Sequence, residues 1–133
     1  MSANKILKLI KEKEIEYVDL RFTDPKGKLQ HVTMDRNIVD EEMLNEGIFF
    51  DGSSIAGWKA INESDMILKP DLERQVVDPF TSHSTLVLFC DVLDAVKKNP
   101  YERDPRSTAK KAENYLKKSG IGDKAFFGPE PEF

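Results

Sequence analysis

The chain has 133 residues, 20 of them basic and 24 acidic, for a net charge of −4, and 39% are hydrophobic. That length holds one ordinary domain and not two full ones. The charge balance excludes a basic nucleic-acid surface as the default, and the longest apolar run, residues 86–90, is far too short to span a bilayer. No apolar segment of the secretory type opens the sequence, and the single cysteine, Cys90, closes no internal disulfide. A soluble, cytoplasmic protein is the expectation.

In chain order, Ser2 stands where it can cap a short helix with Ile6, Leu7 and Ile10 on its apolar face and Leu9 at its edge. Val18, Leu20 and Phe22 then alternate with Asp19, Arg21 and Thr23, the pattern of a half-buried strand. Asp24-Pro25-Lys26-Gly27 is a turn, because proline presets φ and glycine tolerates a positive one. Beyond it Gln30, Val32 and Met34 share a strand face, so residues 15–34 read as a β-hairpin. Asp40 can cap a short helix with Glu41 and Glu42 in its first turn, and Gly47 stops it.

A strand fragment at Ile48, Phe49 and Phe50 leads into Asp51-Gly52-Ser53-Ser54, and residues 53–64 read as a loop carrying the only tryptophan, Trp58. Residues 66–68 and 76–77 are short strand candidates separated by a polar turn at 70–74. The continuous apolar stretch within 85–92 predicts a strand buried on both faces. Together these elements predict an α+β fold, β-grasp-like, around a mixed sheet.

Residues 94–104 change character, and a domain boundary is expected there, with residues 1–103 forming the first domain. Asp104 followed by Pro105 matches a helix cap with proline at the first helical position. That helix should run to Lys118 and stop at Gly120, with Ala109, Ala112, Tyr115 and Leu116 as a narrow apolar stripe and Glu113 paired with Lys117. A strand-like pattern opens at Ala125 and breaks off at Phe133. Residues 104–133 are therefore expected to be the first helix and first strand of a second, truncated domain.

Two places could carry chemistry. Asp51 sits on a tight turn with hydroxyls close by; it is either a solvated Asp-Gly turn or a carboxylate presented to a cation or a proton. Glu130 and Glu132, if extended, share a face roughly 6.5 Å apart. Two such carboxylates either end a solvated acidic strand or hold a hard cation such as Mg²⁺ or Mn²⁺ between them. His31 and His83 stand at no ligand spacing, so zinc is not expected. No glycine-rich phosphate loop is visible. The basic residues Arg103, Arg106, Lys110, Lys111, Lys117 and Lys118 read as a solvated face or a subunit contact, and Trp58 as a packing or interface residue.

Phe50-Asp51-Gly52-Ser53-Ser54, then eight residues, then Glu63-Ser64-Asp65-x-x-Leu68, resembles the N-terminal signature of the glutamine synthetases. Phe127-Gly128-Pro129-Glu130-Pro131-Glu132-Phe133 is similar to the start of that family's catalytic domain. The likeness extends through Val18-Asp19-Leu20-Arg21-Phe22-Thr23-Asp24, Ile55-Ala56-Gly57-Trp58 and Asp104-Pro105-Arg106-Ser107, nearly the whole chain, and is to the bacterial dodecameric class.

The resemblance implies a ligase that joins ammonia to the γ-carboxylate of glutamate through γ-glutamyl phosphate, at the expense of ATP and with Mg²⁺ or Mn²⁺. It implies that Glu132 ligates the metal nearer glutamate and Glu130 the metal nearer the ATP phosphates. Asp51 would bind ammonium and take its proton, and Ser54 would shape that pocket. The family's N-terminal domain completes the active site of a neighbouring subunit. Its other metal ligands and its nucleotide segment fall beyond Phe133, so the chain by itself is expected to be inactive and to bind Mn²⁺ weakly at most. Two other readings stay open: a γ-glutamyl ligase acting on another amine, and a free-standing β-grasp interaction module without chemistry.

Overall fold

The expected hairpin forms as β1 (Tyr17–Thr23) and β2 (Leu29–Asp35), joined by a turn in which Asp24 accepts from the backbone of Lys26 and Lys28, both at 2.9 Å. A computed structural model of the chain describes residues 1–58 and 64–132. The remaining elements are α1 (Ala3–Glu12), α2 (Glu41–Glu46), β3 (Ile48–Asp51), β4 (Asp65–Val77), β5 (Thr85–Asp94) and α3 (Pro105–Ser119). The strands form one sheet in the order β2-β1-β5-β4-β3. Only β1 and β5 run parallel, so the sheet is mixed and the architecture α+β, as the pattern predicts.

One face of the sheet makes the core. Val18, Leu20 and Phe22 of β1 join Leu86, Leu88, Cys90 and Val92 of β5 and Met66 and Leu68 of β4. Ile6 and Ile10 of α1 and Met43 and Leu44 of α2 cover them. Asp40 caps α2 as expected, accepting from Met43 N at 2.8 Å. Ser2 occupies the cap position of α1 with its backbone carbonyl alone; its hydroxyl makes no capping bond. Gly47 ends α2 at φ 87°, and a Cβ there would collide with the Leu68 carbonyl of β4. Cys90 lies in the middle of this core, 1% exposed, and burial pushes its thiol far above the usual range.

Two expectations are corrected. Residues 66–68 and 76–77 are not separate strands: they are the ends of β4, whose pairing with β5 shifts register between Pro70 and Gln75. Pro70 donates no ladder hydrogen bond, so an irregularity replaces the expected turn without ending the strand. The strand expected from residue 125 does not form, since residues 124–132 have no regular secondary structure. An extended segment with no neighbouring strand leaves its backbone groups unpaired and has no reason to be held straight.

On the opposite face, Arg21 reaches both Asp19 and Asp78 at 2.7 Å, and His31 and Thr33 also bond Asp19. Burial pushes the Asp19 carboxyl up, but the bonds from Arg21, Thr33 and His31 together outweigh it and hold the group below its ordinary value. α3 sits on the same side and is attached by polar groups. Arg106 pairs with Asp71 of β4 and with Asp91 of β5 (2.8 Å), and Lys110 also pairs with Asp91. Its expected stripe is open to solvent, with Tyr115 74% exposed, and Ser107 is the only buried residue of the helix. Glu113 and Lys117 pair at 2.9 Å.

The expected change of character at 94–104 is a stretch between β5 and α3 that is tied back to the sheet by hydrogen bonds. Tyr101 N bonds Val92 O at 2.9 Å, and Asp104 is fully buried. The Asp104 carboxylate accepts from Ser107 N (2.9 Å) and Ser107 Oγ (2.6 Å) and caps α3. Asp104→Ala would strand those donors, so it is expected to cost about 2 kcal/mol, read as a lowered denaturation midpoint with loss of α3 helicity.

Candidate functional site

Asp51 is the last residue of β3, an edge strand that pairs only with β4 among the described residues. The pairing sets Asp51 opposite Asp65, so two carboxylates stand side by side at the rim of the sheet, both exposed. Side chains directly opposite in an antiparallel pair lie within about 5.5 Å at Cβ, and like charges there repel. An arrangement of this kind gains by taking a cation between its members.

The chain turns immediately after Asp51 because Gly52 can approach β4 as no other residue can. A Cβ on Gly52 would overlap the Met66 side chain, and its N–H donates to Ser64 O at 2.7 Å. This puts Asp51 at the cap of a single 3-10 turn, Gly52–Ser54. Its Oδ1 accepts from Ser53 Oγ at 2.7 Å and from Ser53 N at 2.8 Å. The Ser53 hydroxyl, then the Ser53 amide, and more weakly the Ser64 hydroxyl hold the Asp51 carboxyl below its ordinary value against a small opposing effect of burial. At neutral pH the group is an anion with one edge occupied by hydroxyls and the rest open to water.

Behind this turn lies an aromatic cluster. Trp58 packs on Phe22 (5.6 Å between centroids), Phe50 (6.1 Å) and Tyr101 (5.6 Å), and Phe22 touches Phe50 at 5.2 Å. Trp58 is a packing residue, 6% exposed, whose indole N–H finds no acceptor among the described residues.

Of the residues singled out in the sequence, Asp51 is at the centre of this arrangement. Ser54 is on the same turn and exposed, but the hydroxyls that bond Asp51 are those of Ser53 and Ser64. Asp65 and Ser64, residues that the sequence offers only as letters of a motif, become partners of Asp51 through the β3–β4 register. Glu63 and Phe133 lie outside the described residues. Glu130 and Glu132 are exposed in an irregular segment, and neither has a hydrogen-bond or ion-pair partner among the described residues. Their carboxylates are the hard oxygen donors that Mg²⁺ and Mn²⁺ take. No group of three or more His, Cys, Asp or Glu comes together as a metal site among the described residues, so the pair fits as part of a ligand set and not a whole one.

Residues 14–95 match the family model described as glutamine synthetase, beta-Grasp domain. The chain belongs to the glutamine synthetase family. It is 66% identical over 132 residues to the glutamine synthetase of Rhizobium meliloti (strain 1021) and 56% identical over 133 residues to that of Escherichia coli (strain K12). These alignments cover 99% and 100% of the chain but 28% of either relative, so the chain spans a little over a quarter of their length. The fold is also that of Plasmodium falciparum glutamine synthetase, with a TM-score of 0.79 at 24% identity, covering 90% of this chain and 23% of that one. The glutamine synthetase resemblance read from the two motifs and the β-grasp outline read from the elements are both correct.

The Ser53 donors favour the ionised form of Asp51, so the stabilisation they bring is complete above the ordinary carboxylate pKa and is lost as pH falls through the lower folded value. Ser53→Ala is expected to move the Asp51 titration upward toward the ordinary value, read from the side-chain carboxyl carbon by NMR. An unmoved midpoint would show that Ser53 does not hold this group.

Proposed function

We propose that this chain is the N-terminal part of a glutamine synthetase: residues 1–103 form its β-grasp domain and residues 104–133 open its catalytic domain. The observation that carries the reading is Asp51, an exposed carboxylate at a strand end, held anionic by hydroxyl donors and set opposite a second carboxylate. A small cationic acceptor is what such a site binds best.

The reaction of the whole enzyme converts glutamate, ammonium and ATP to glutamine, ADP and phosphate. The γ-carboxylate oxygen of glutamate displaces ADP from the terminal phosphoryl group, giving γ-glutamyl phosphate. Ammonia then attacks the acyl carbon and phosphate leaves. Asp51 enters at this second step. Ammonium has no free lone pair, and its acidity is far too weak for a carboxylate of depressed pKa to deprotonate it outright; amine cations titrate near ~10. The proton therefore passes to Asp51 only in a small, unfavourable share, and the ammonia this frees is captured by the acyl carbon; the new C–N bond makes the nitrogen acidic, and its second proton leaves with the departing phosphate. Asp65 adds negative charge where the cation arrives, and Ser54 borders the pocket.

Glu130 and Glu132 would hold divalent metal, Glu130 toward the ATP phosphates and Glu132 toward glutamate. Mg²⁺ or Mn²⁺ bound there would neutralise the phosphoryl oxygens and orient the two substrates. Asp51 lies at the rim of its own domain and faces outward, which supports its acting in the active site of a neighbouring subunit in a ring-shaped homo-oligomer of the dodecameric class. The compartment is the cytoplasm, where ATP and glutamate are supplied; no described helix is long and apolar enough to cross a membrane.

In the longer enzyme that contains this chain, Asp51→Asn is expected to lower kcat/KM for ammonium by about a hundredfold or more while glutamate-dependent phosphoryl transfer from ATP survives. A value within about twofold of the parent would overturn the acceptor role. Methylamine in place of ammonium tests whether a larger amine is the true acceptor, and a higher kcat/KM for methylamine would replace ammonia in the reading. The 133-residue chain alone is expected to form no glutamine and to bind Mn²⁺ no tighter than the micromolar range, since two carboxylates on an irregular segment are not preorganised. Calorimetry and a glutamine-formation assay check both.

A further inference from the structure

The segment after Asp51 is fastened at two points. At its base, Gly52 N bonds Ser64 O at 2.7 Å, which ties the turn to the start of β4. Six residues further on, at Gly57 and Trp58, it is fastened to a different part of the chain. Arg103 Nη1 donates to Gly57 O at 2.9 Å, and the Tyr101 ring packs edge-on against Trp58. Gly57 has φ 87°, a conformation that leaves its carbonyl turned out of the local turn and available to an outside donor. The Trp58 N–H has no acceptor among the described residues, so no hydrogen bond of the indole fixes the ring. Packing on Phe22, Phe50 and Tyr101 does so, together with the bond to its neighbour Gly57.

Tyr101 is itself well held, and Arg103 stands between it and the buried Asp104. Tyr101 N is bonded to Val92 O, Pro100 bridges to Leu93, and Asp104 N bonds Tyr101 O at 3.2 Å. Three residues within a stretch of four therefore touch three parts of the fold: Tyr101 the aromatic cluster, Arg103 the Gly57 carbonyl, and Asp104 the start of α3.

We infer that Arg103 and Tyr101 are positioning residues for the ammonium site, clamping the far end of the Gly52–Trp58 segment so that the Ser53 hydroxyl of its first turn stays on the Asp51 carboxylate. This rests on the acceptor role proposed for Asp51. Neither residue touches the acceptor; each acts through the backbone and ring of the segment. The clamp also makes that segment and the first turn of α3 parts of one rigid unit, so a shift of the helix start is carried to the acceptor site.

The test uses Arg103→Ala and Arg103→Lys. Arg103 is exposed and outside the core, so both variants keep the fold. In the longer enzyme, Arg103→Ala is expected to raise the KM for ammonium about fivefold while the KM for glutamate stays within about twofold; Arg103→Lys, which keeps one donor, recovers most of the loss. In the 133-residue chain, Trp58 is the sole tryptophan, and its fluorescence should become more accessible to acrylamide in Arg103→Ala. Unchanged ammonium KM with unchanged quenching would overturn the inference, as would an equal rise in both KM values, which marks general loosening. Asp51→Asn, run beside them, separates the two levels. If Asp51→Asn abolishes ammonium dependence and Arg103→Ala does nothing, the clamp alone fails. If Asp51→Asn leaves ammonium use intact, the acceptor role fails first, and the clamp fails with it as a device of that site.

Discussion

β5 is paired along both edges, parallel to β1 and antiparallel to β4, and sends Leu86, Leu88, Cys90 and Val92 under the two helices of the core face. A strand placed this way has no spare register, because a slip of one residue would turn that whole set out to the other side. The constraint travels outward. Val92 stands opposite Leu68, Leu68 opposite Ile48, and three steps along the same ladder Asp51 stands opposite Asp65. The acidic pair at the rim is fixed by apolar residues buried at the centre of the sheet.

The two faces are held by different physics. On the core face, α1 and α2 are seated by buried aliphatic side chains, and their position is insensitive to charge. On the other, α3 is attached through Arg106, Lys110 and the Asp104 cap, with almost no apolar burial of its own. Half-exposed ion pairs of this sort are weak one by one and are screened by salt. The β-grasp sheet and the helix that follows it therefore have stabilities of different origin, though hydrogen bonds tie the chain between them to β5.

Local signals were readable from the residues alone. The Asp40 and Asp104 caps, the Gly47 and Gly120 stops and the turn after Asp24 each depend on neighbours within a few positions, and each is where the residues put it. β5 was legible because an uninterrupted apolar stretch has only one comfortable place in a sheet. What could not be read was long-range. The continuity of β4 through Pro70 depends on β5 beside it, and the Asp51–Asp65 pairing depends on a ladder between segments that carry no mark of each other. The strand expected after Ala125 failed for the complementary reason: its alternation is genuine, but a strand is a property of two segments and not of one. A motif names positions without saying which hydroxyl points at the carboxylate, and it is the fold that turns Ser53 toward Asp51.

The burial of Cys90 gives the sheet a built-in reporter of its own opening. Its sulfur lies on the core face of β5, bonds weakly to the Leu88 carbonyl, and is kept as an unreactive thiol by the apolar residues around it. Only the thiolate is alkylated at a useful rate, and it forms only when water reaches the sulfur. A small electrophile added to the native protein therefore waits for the helices of the core face to lift from the central strand. The pace of its uptake counts those events, in a part of the molecule where the apolar register and the acidic rim have a common origin.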